Sequence, residues 1–310
     1  MVTRTATGAI RGKLVKETGG DKAFSIFNYA FLTGWLIIVL YPLIYVLSSS
    51  FSSPHAVITG RVWLFPVEAS LRGYKAVFAS RQIWTGYANS FFYATAGTAL
   101  NVVATIMAAY PLSRRDFVGR NVIMFIFTFT MFFHGGLIPT YLLVKSLGLV
   151  NTRLIMLLWG AVGVYFVIIT RTYFQSTLPS ELHESAQLDG CSNIRFILQI
   201  ALPLSKAIIA VISLFYAVRH WNTFFAALIY LKDQHLYPLQ IILRSILIQN
   251  EVSMDMMQEV DNLEELAAIE NMQALLKYAL IVVASVPVLA IYPLVQRYFV
   301  KGVMIGAIKG

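Results

Sequence analysis

Long apolar stretches separated by short charged ones set the pattern of this chain. A bilayer crossing takes about twenty apolar residues and roughly seventeen at the least. Six runs reach that length: Phe24–Leu47, Tyr87–Leu112, Asn121–Val144, Leu154–Thr170, Ala207–Leu231 and Lys277–Gln296. Their hydrophobicity is nearly continuous, whereas the strands of an outer-membrane barrel alternate over about ten residues. The pattern therefore predicts an all-α polytopic membrane protein with six transmembrane helices. The first run has basic flanks like a signal peptide, but it exceeds the usual apolar length, contains Pro42 and runs into Ser48-Ser49-Ser50. It reads as a retained helix.

Composition sharpens this reading. Apolar residues make up 58% of the 310 and charged residues only 13%, against about a quarter charged in a soluble domain, which excludes a soluble enzyme. The net charge of +9 is spread over loops beside the apolar runs rather than gathered on one surface, so it points to topology and not to nucleic acid. With the N-terminus inside, fourteen lysines and arginines fall on inner segments and eight on outer ones, which predicts that both termini are cytoplasmic. The chain then divides into an N-terminal segment 1–23, a transmembrane domain 24–296 and a tail 297–310. Outer loops span 51–86 and 232–276, and a cytoplasmic loop spans 176–204 between helices 4 and 5. The outer loop with Pro54, Trp63, Phe65 and Pro66 is expected to fold against the membrane surface. Glu251, Asp255, Glu259, Asp261, Glu264, Glu265 and Glu270, with Leu263, Leu266 and Ile269 at helical spacing, predict an acidic amphipathic helix outside the cell. One cysteine, Cys191, leaves no disulfide or thiolate cluster to build.

The cytoplasmic loop carries the most punctuation. Pro179 stops what precedes it, Ser180 and Glu181 suit a helix N-terminus, Gly190 suits a left-handed stop, Ser192 a second cap, and Pro203 the return to the membrane. Two short helices joined at a glycine form an elbow. Glu184-Ser185-Ala186, three residues, Gly190, then Ile200-Ala201-Leu202-Pro203 resemble the EAA loop of binding-protein-dependent ABC importer permeases. The resemblance covers about residues 20–310 and is similar to the carbohydrate-uptake branch that includes the smaller maltose-transporter permease. His134-Gly135-Gly136-Leu137-Ile138-Pro139-Thr140-Tyr141 and the tail 298–310 resemble its complex-oligosaccharide members.

That resemblance implies a non-catalytic permease subunit in a bacterial plasma membrane. Its partners would be a second permease, two ATPase subunits, an extracellular solute-binding protein, membrane lipid and an oligosaccharide substrate. No GxxxxGK[ST] motif occurs in the chain, so ATP and magnesium would belong to the ATPase subunits, with no cofactor here. Glu184, Ser185, Ala186, Asp189 and Gly190 would couple to the ATPase, and the tail Gly306–Gly310 could enter the ATPase dimer interface.

The fifth run contains Arg219 near its middle, where a charge costs about 2.5–3.5 kcal/mol on insertion scales and normally faces a cavity or a partner. Tyr216, Arg219, His220 and Thr223 recur at helical spacing and suit sugar hydroxyls or a sugar carboxylate. Equally, Arg219 suits a structural pair with a carboxylate of the partner permease, because no acid of this chain lies inside a run. Trp221 and Asn222 fit either the pathway or a helix interface. An ion-coupled secondary sugar transporter using His134 or His220 is the rival reading; it would usually carry an intramembrane acid.

Overall fold

The computed structural model describes residues 18–257, 276–291 and 293. Helix α1 (Gly19–Ser50) begins at a capping box, with Thr18 Oγ1 accepting from the Asp21 amide and the Asp21 carboxylate accepting from the Thr18 amide. It is apolar all round: Phe24, Phe27, Trp35, Ile38 and Leu43 stay exposed, and only Ser48, Ser49 and Ser50 are buried. Such a circumference suits lipid or a partner helix rather than water. The short helix α2 (Pro54–Ile58) follows, and the last turn of α1 is joined to α3 (Arg72–Ala79) by the Ser50–Tyr74 hydroxyl pair. The loop between these is fixed by Glu68, in the left-handed region at φ 52°, which accepts from Ser53 Oγ and Arg61. The Ser53 hydroxyl, then Arg61, holds the Glu68 carboxyl below its ordinary range.

Helix α4 (Arg81–Ser113) is the axis of the bundle. After it come α5 (Arg120–Phe132), α6 (Leu137–Ser146), α7 (Arg153–Leu158), α8 (Val164–Thr177) and α9 (Ser180–Leu188). Then α10 (Asn193–Phe196) passes through a π turn (Ile197–Ala201) into α11 (Leu202–Leu204), followed by α12 (Lys206–Trp221), α13 (Phe225–Tyr230), α14 (Leu239–Met257) and α15 (Leu276–Ile291). No strand occurs among the described residues. Helices α5, α7, α8, α12 and α14 all pack on α4. Gly97, Asn101, Thr105 and Ala109 recur every fourth residue along one buried stripe of α4, and Ile208, Ile212, Tyr216 and His220 form the matching stripe of α12. The period of four on both helices makes their ridges meet.

The first two predicted runs are continuous helices, and each is long and apolar enough to cross a bilayer. The third bends by 115° at Phe133-His134-Gly135-Gly136, where Gly136 takes φ +79°. The fourth is broken between Leu158 and Val164, and the fifth stops at Trp221 before resuming as α13. Residues 239–257, assigned from the sequence to the outer segment 232–276, are helical, with Glu251 and Asp255 of the expected acidic set at the far end of that helix, and Leu239, Ile241, Ile242 and Leu243 are buried in the core. The acidic helix expected around Leu263, Leu266 and Ile269, and the tail 297–310, lie outside the described residues.

Candidate functional site

The elbow is built by local chemistry. Helix α9 starts at Ser180 with Pro179 at the cap position, so Ser180 does not cap it; Ser192 does cap α10, accepting from the Arg195 amide. Gly190 sits at φ +74° with open space where a Cβ would be, and its neighbours close the turn through Gly190 N to Gln187 O and Cys191 N to Ala186 O. Ala186 is buried against a cluster that includes Tyr110, Phe174 and Phe196, which explains the small residue there. Glu184, Ser185, Asp189 and Gly190 are exposed on the other side. Leu188 and Ile194 project there too, 90% and 72% exposed. Neither was singled out from the sequence, although both stand off the buried register of Leu182 and Ala186.

Arg114, at the end of α4, ties the elbow to the bundle. Its guanidinium pairs with both Asp116 oxygens and donates through Nη1 to His183 of α9 and to Asn193 Oδ1 at 3.2 Å. The Arg114 hydrogen bond is the main cause holding the Asp116 carboxyl below its ordinary range, and Asp116 in turn raises Arg114. Arg120 donates to Arg114 O at 3.0 Å, and Arg171 Nε to Leu112 O at 2.9 Å. A cavity of about 700 Å³ lies under this latch, lined by Arg115, Arg120, Glu181 and Glu184 among others. Replacing Arg114 with methionine removes charge-assisted bonds worth about 1.5–3 kcal/mol. Amide exchange across residues 180–196 is therefore expected to quicken roughly tenfold or more by mass spectrometry; unchanged exchange would mean the latch holds nothing.

Further along α4, the seam with α12 is polar and buried. Asn101 Nδ2 donates to His220 Nε2 at 3.0 Å, and Tyr216 shares a 2.7 Å hydrogen bond with Thr105 while accepting from Gly163 N at 3.1 Å. Tyr216 and His220 are buried, so in this conformation both serve helix packing. Gly97 is required by that contact, because a Cβ there would lie 2.5 Å from the His220 ring. Within this chain Arg219 is held by backbone. Its Nη2 donates to Trp159 O at 2.7 Å and Gly160 O at 3.0 Å, satisfying carbonyls left without partners by the break after α7. Gly160, at φ +64°, leaves the room: a Cβ would fall 1.7 Å from Nη2. Trp221 donates to Ala284 O at 3.0 Å and is a helix-interface residue, Thr223 Oγ1 donates to Arg219 O at 2.7 Å, and Asn222 is exposed.

Residues 101–305 match the family model described as binding-protein-dependent transport system inner membrane component. Over 290 residues the chain is 39% identical to the polygalacturonan/rhamnogalacturonan transport system permease protein YtcP of Bacillus subtilis (strain 168), covering 94% of this chain and 99% of that one. Protein LplC of the same organism is 40% identical over 95% of this chain and 97% of its own length. Among solved structures, a bacterial ABC transporter involved in the import of the acidic polysaccharide alginate contains a similar chain. The match has a TM-score of 0.80 and 33% identity, covering 91% of this chain and 99% of that one.

Proposed function

The chain belongs to the family of binding-protein-dependent transport system inner membrane components, and from that premise we propose what it carries and how it is driven. It is a membrane-embedded permease subunit of an ABC importer for sugars. Its cargo is an oligosaccharide rich in sugar acids, delivered by an extracellular binding protein and driven by two ATPase subunits docked on this chain and a second permease. The observation that carries the cargo class is the near full-length similarity to a permease of a system named for polygalacturonan/rhamnogalacturonan and to a chain of a transporter involved in the import of the acidic polysaccharide alginate. Nothing in these similarities favours an ion-coupled transporter.

The topology proposed is six crossings with both termini cytoplasmic, counting the bent α5–α6 run and the broken α7–α8 run as one crossing each. Glu184, Ser185, Ala186, Asp189 and Gly190 form the docking elbow, with Leu188 and Ile194 as its apolar contacts; a short rigid helix in a cleft transmits a rigid-body displacement. Arg219 holds the broken fourth crossing in shape, and Asn222 faces the pathway. Uptake of labelled oligogalacturonate into proteoliposomes holding the assembled complex tests the reading. Accumulation should require ATP and the binding protein; accumulation under an ion gradient alone would sink it. Sidedness has a built-in probe, since Cys191 is the chain's single cysteine and part exposed in the elbow. A membrane-impermeant maleimide should label it from the cytoplasmic side only, and ATPase docking should protect it. Labelling from outside would invert the topology.

A further inference from the structure

At the end of α4 remote from the elbow, the end of α12 meets α14 and α15 around a groove of about 570 Å³, within the roughly 300–1,000 Å³ of small-molecule sites. Its walls are mostly leucine, isoleucine, valine and alanine side chains. Into it converge Asn222, Phe224, Gln240, Arg244 and Ser285. The Arg244 guanidinium carbon lies 5.7 Å from the centre of the Phe224 ring. Among the described residues Arg244 has no hydrogen-bond or ion-pair partner, in contrast to Arg219 and Arg153, whose guanidinium groups donate to Trp159 O and to Asn89 Oδ1. A planar cation with its donor fork unspent, steadied on an aromatic face at the exposed edge of a largely apolar groove, is built to take a carboxylate in a two-point pair. The surrounding chemistry suits the rest of a sugar acid. Phe224 offers an apolar face to a pyranose ring, and the Asn222 and Gln240 amides offer both donors and acceptors to hydroxyls.

We infer that this groove is a uronate subsite of the pathway, in which Arg244 pairs with the carboxylate of one sugar residue while Phe224, Asn222 and Gln240 hold its ring. The inference rests on the sugar-acid cargo proposed above and adds where, and by which residues, the acid group is read. Three features favour a passing sugar acid over a fixed neighbour. The groove's one arginine answers a negative charge, its polar groups are neutral amides and a hydroxyl rather than a matching set of charges, and it lies at the end of the bundle opposite the elbow, where cargo arrives.

The test uses the assembled transporter with its binding protein in proteoliposomes, and two probes: trigalacturonate and its methyl ester, which keeps the sugar and removes the charge. The acid-to-ester uptake ratio of each variant is divided by the wild-type ratio, which cancels the binding protein's own preference. Arg244→Gln is expected to lower that ratio about tenfold or more, and Arg244→Lys, which keeps the charge without the fork, to lower it less. An unchanged ratio in Arg244→Gln overturns the inference. If the ratio holds while the yield of complex falls, the groove is a contact with the second permease instead. Failure of the wild-type transporter to take up either probe would instead overturn the cargo class, and the subsite with it.

Discussion

Gly160→Ala is expected to cripple the protein although it adds a single methyl group. The new Cβ would occupy the place of the Arg219 guanidinium, 1.7 Å from Nη2 and 2.7 Å from Cζ. The arginine would have to withdraw from Trp159 O and Gly160 O, giving up two bonds worth about 1.5–3 kcal/mol each. Forcing alanine to φ +64° costs about 1–2 kcal/mol more. The total, about 4 kcal/mol or more, should appear as a sharp drop in the yield and thermal midpoint of the detergent-solubilised complex. Arg219→Met is expected to do comparable damage by leaving the same carbonyls unpaired. Because the two changes break one contact, the double variant should be scarcely worse than Gly160→Ala alone, which already carries the backbone strain. Fully additive losses would show that the glycine and the arginine act separately.

The second large effect concerns the elbow. Leu188 is 90% exposed, and burying a leucine fully is worth about 1.5–3 kcal/mol. Leu188→Ser should therefore weaken retention of the ATPase by roughly ten- to a hundredfold, measured by copurification at graded concentrations. Glu184→Ala should lower uptake tenfold or more while the permease itself still folds, since the side chain is exposed. Gly190→Pro should act more severely, because proline fixes φ near −65° where the turn needs +74°. Wild-type ATPase retention and uptake in Leu188→Ser and Glu184→Ala would remove the elbow from the coupling path.

The elbow was readable from sequence because its signals are local. Gly190 and Ser192 each act within a few residues of themselves, and the structure puts the turn and the second cap where they point. The interior breaks were not readable in the same way, since apolar content is blind to a change of direction within a run. Their traces were present as Gly135-Gly136, Gly160 and Gly163, which span counting ignores. Helix α14 escaped because its apolar stretch, Leu239–Ile248, is too short to count as a crossing. The partners that Arg219 finds within this chain are backbone carbonyls, which carry no residue-type signal. Tyr216 and His220 drew attention as polar residues on one helix face. The fourfold spacing they share with Asn101 and Thr105 of α4 was the sign of a packed seam.

That seam also constrains how the chain is made. Asn101 and Thr105 enter the membrane with α4, but their partners His220 and Tyr216 lie 119 and 111 residues further on. At about 5–20 residues per second, α4 must wait roughly 6–24 s with its amide and hydroxyl unsatisfied. Lipid is a poor host for such groups, so the half-made chain has reason to stay beside the insertion machinery rather than disperse. Nascent chains halted before Lys206 should crosslink to that machinery through α4, and chains extended past Trp221 should release it. Biogenesis would then proceed by delayed pairing of the second crossing with the fifth, not by helices settling one at a time.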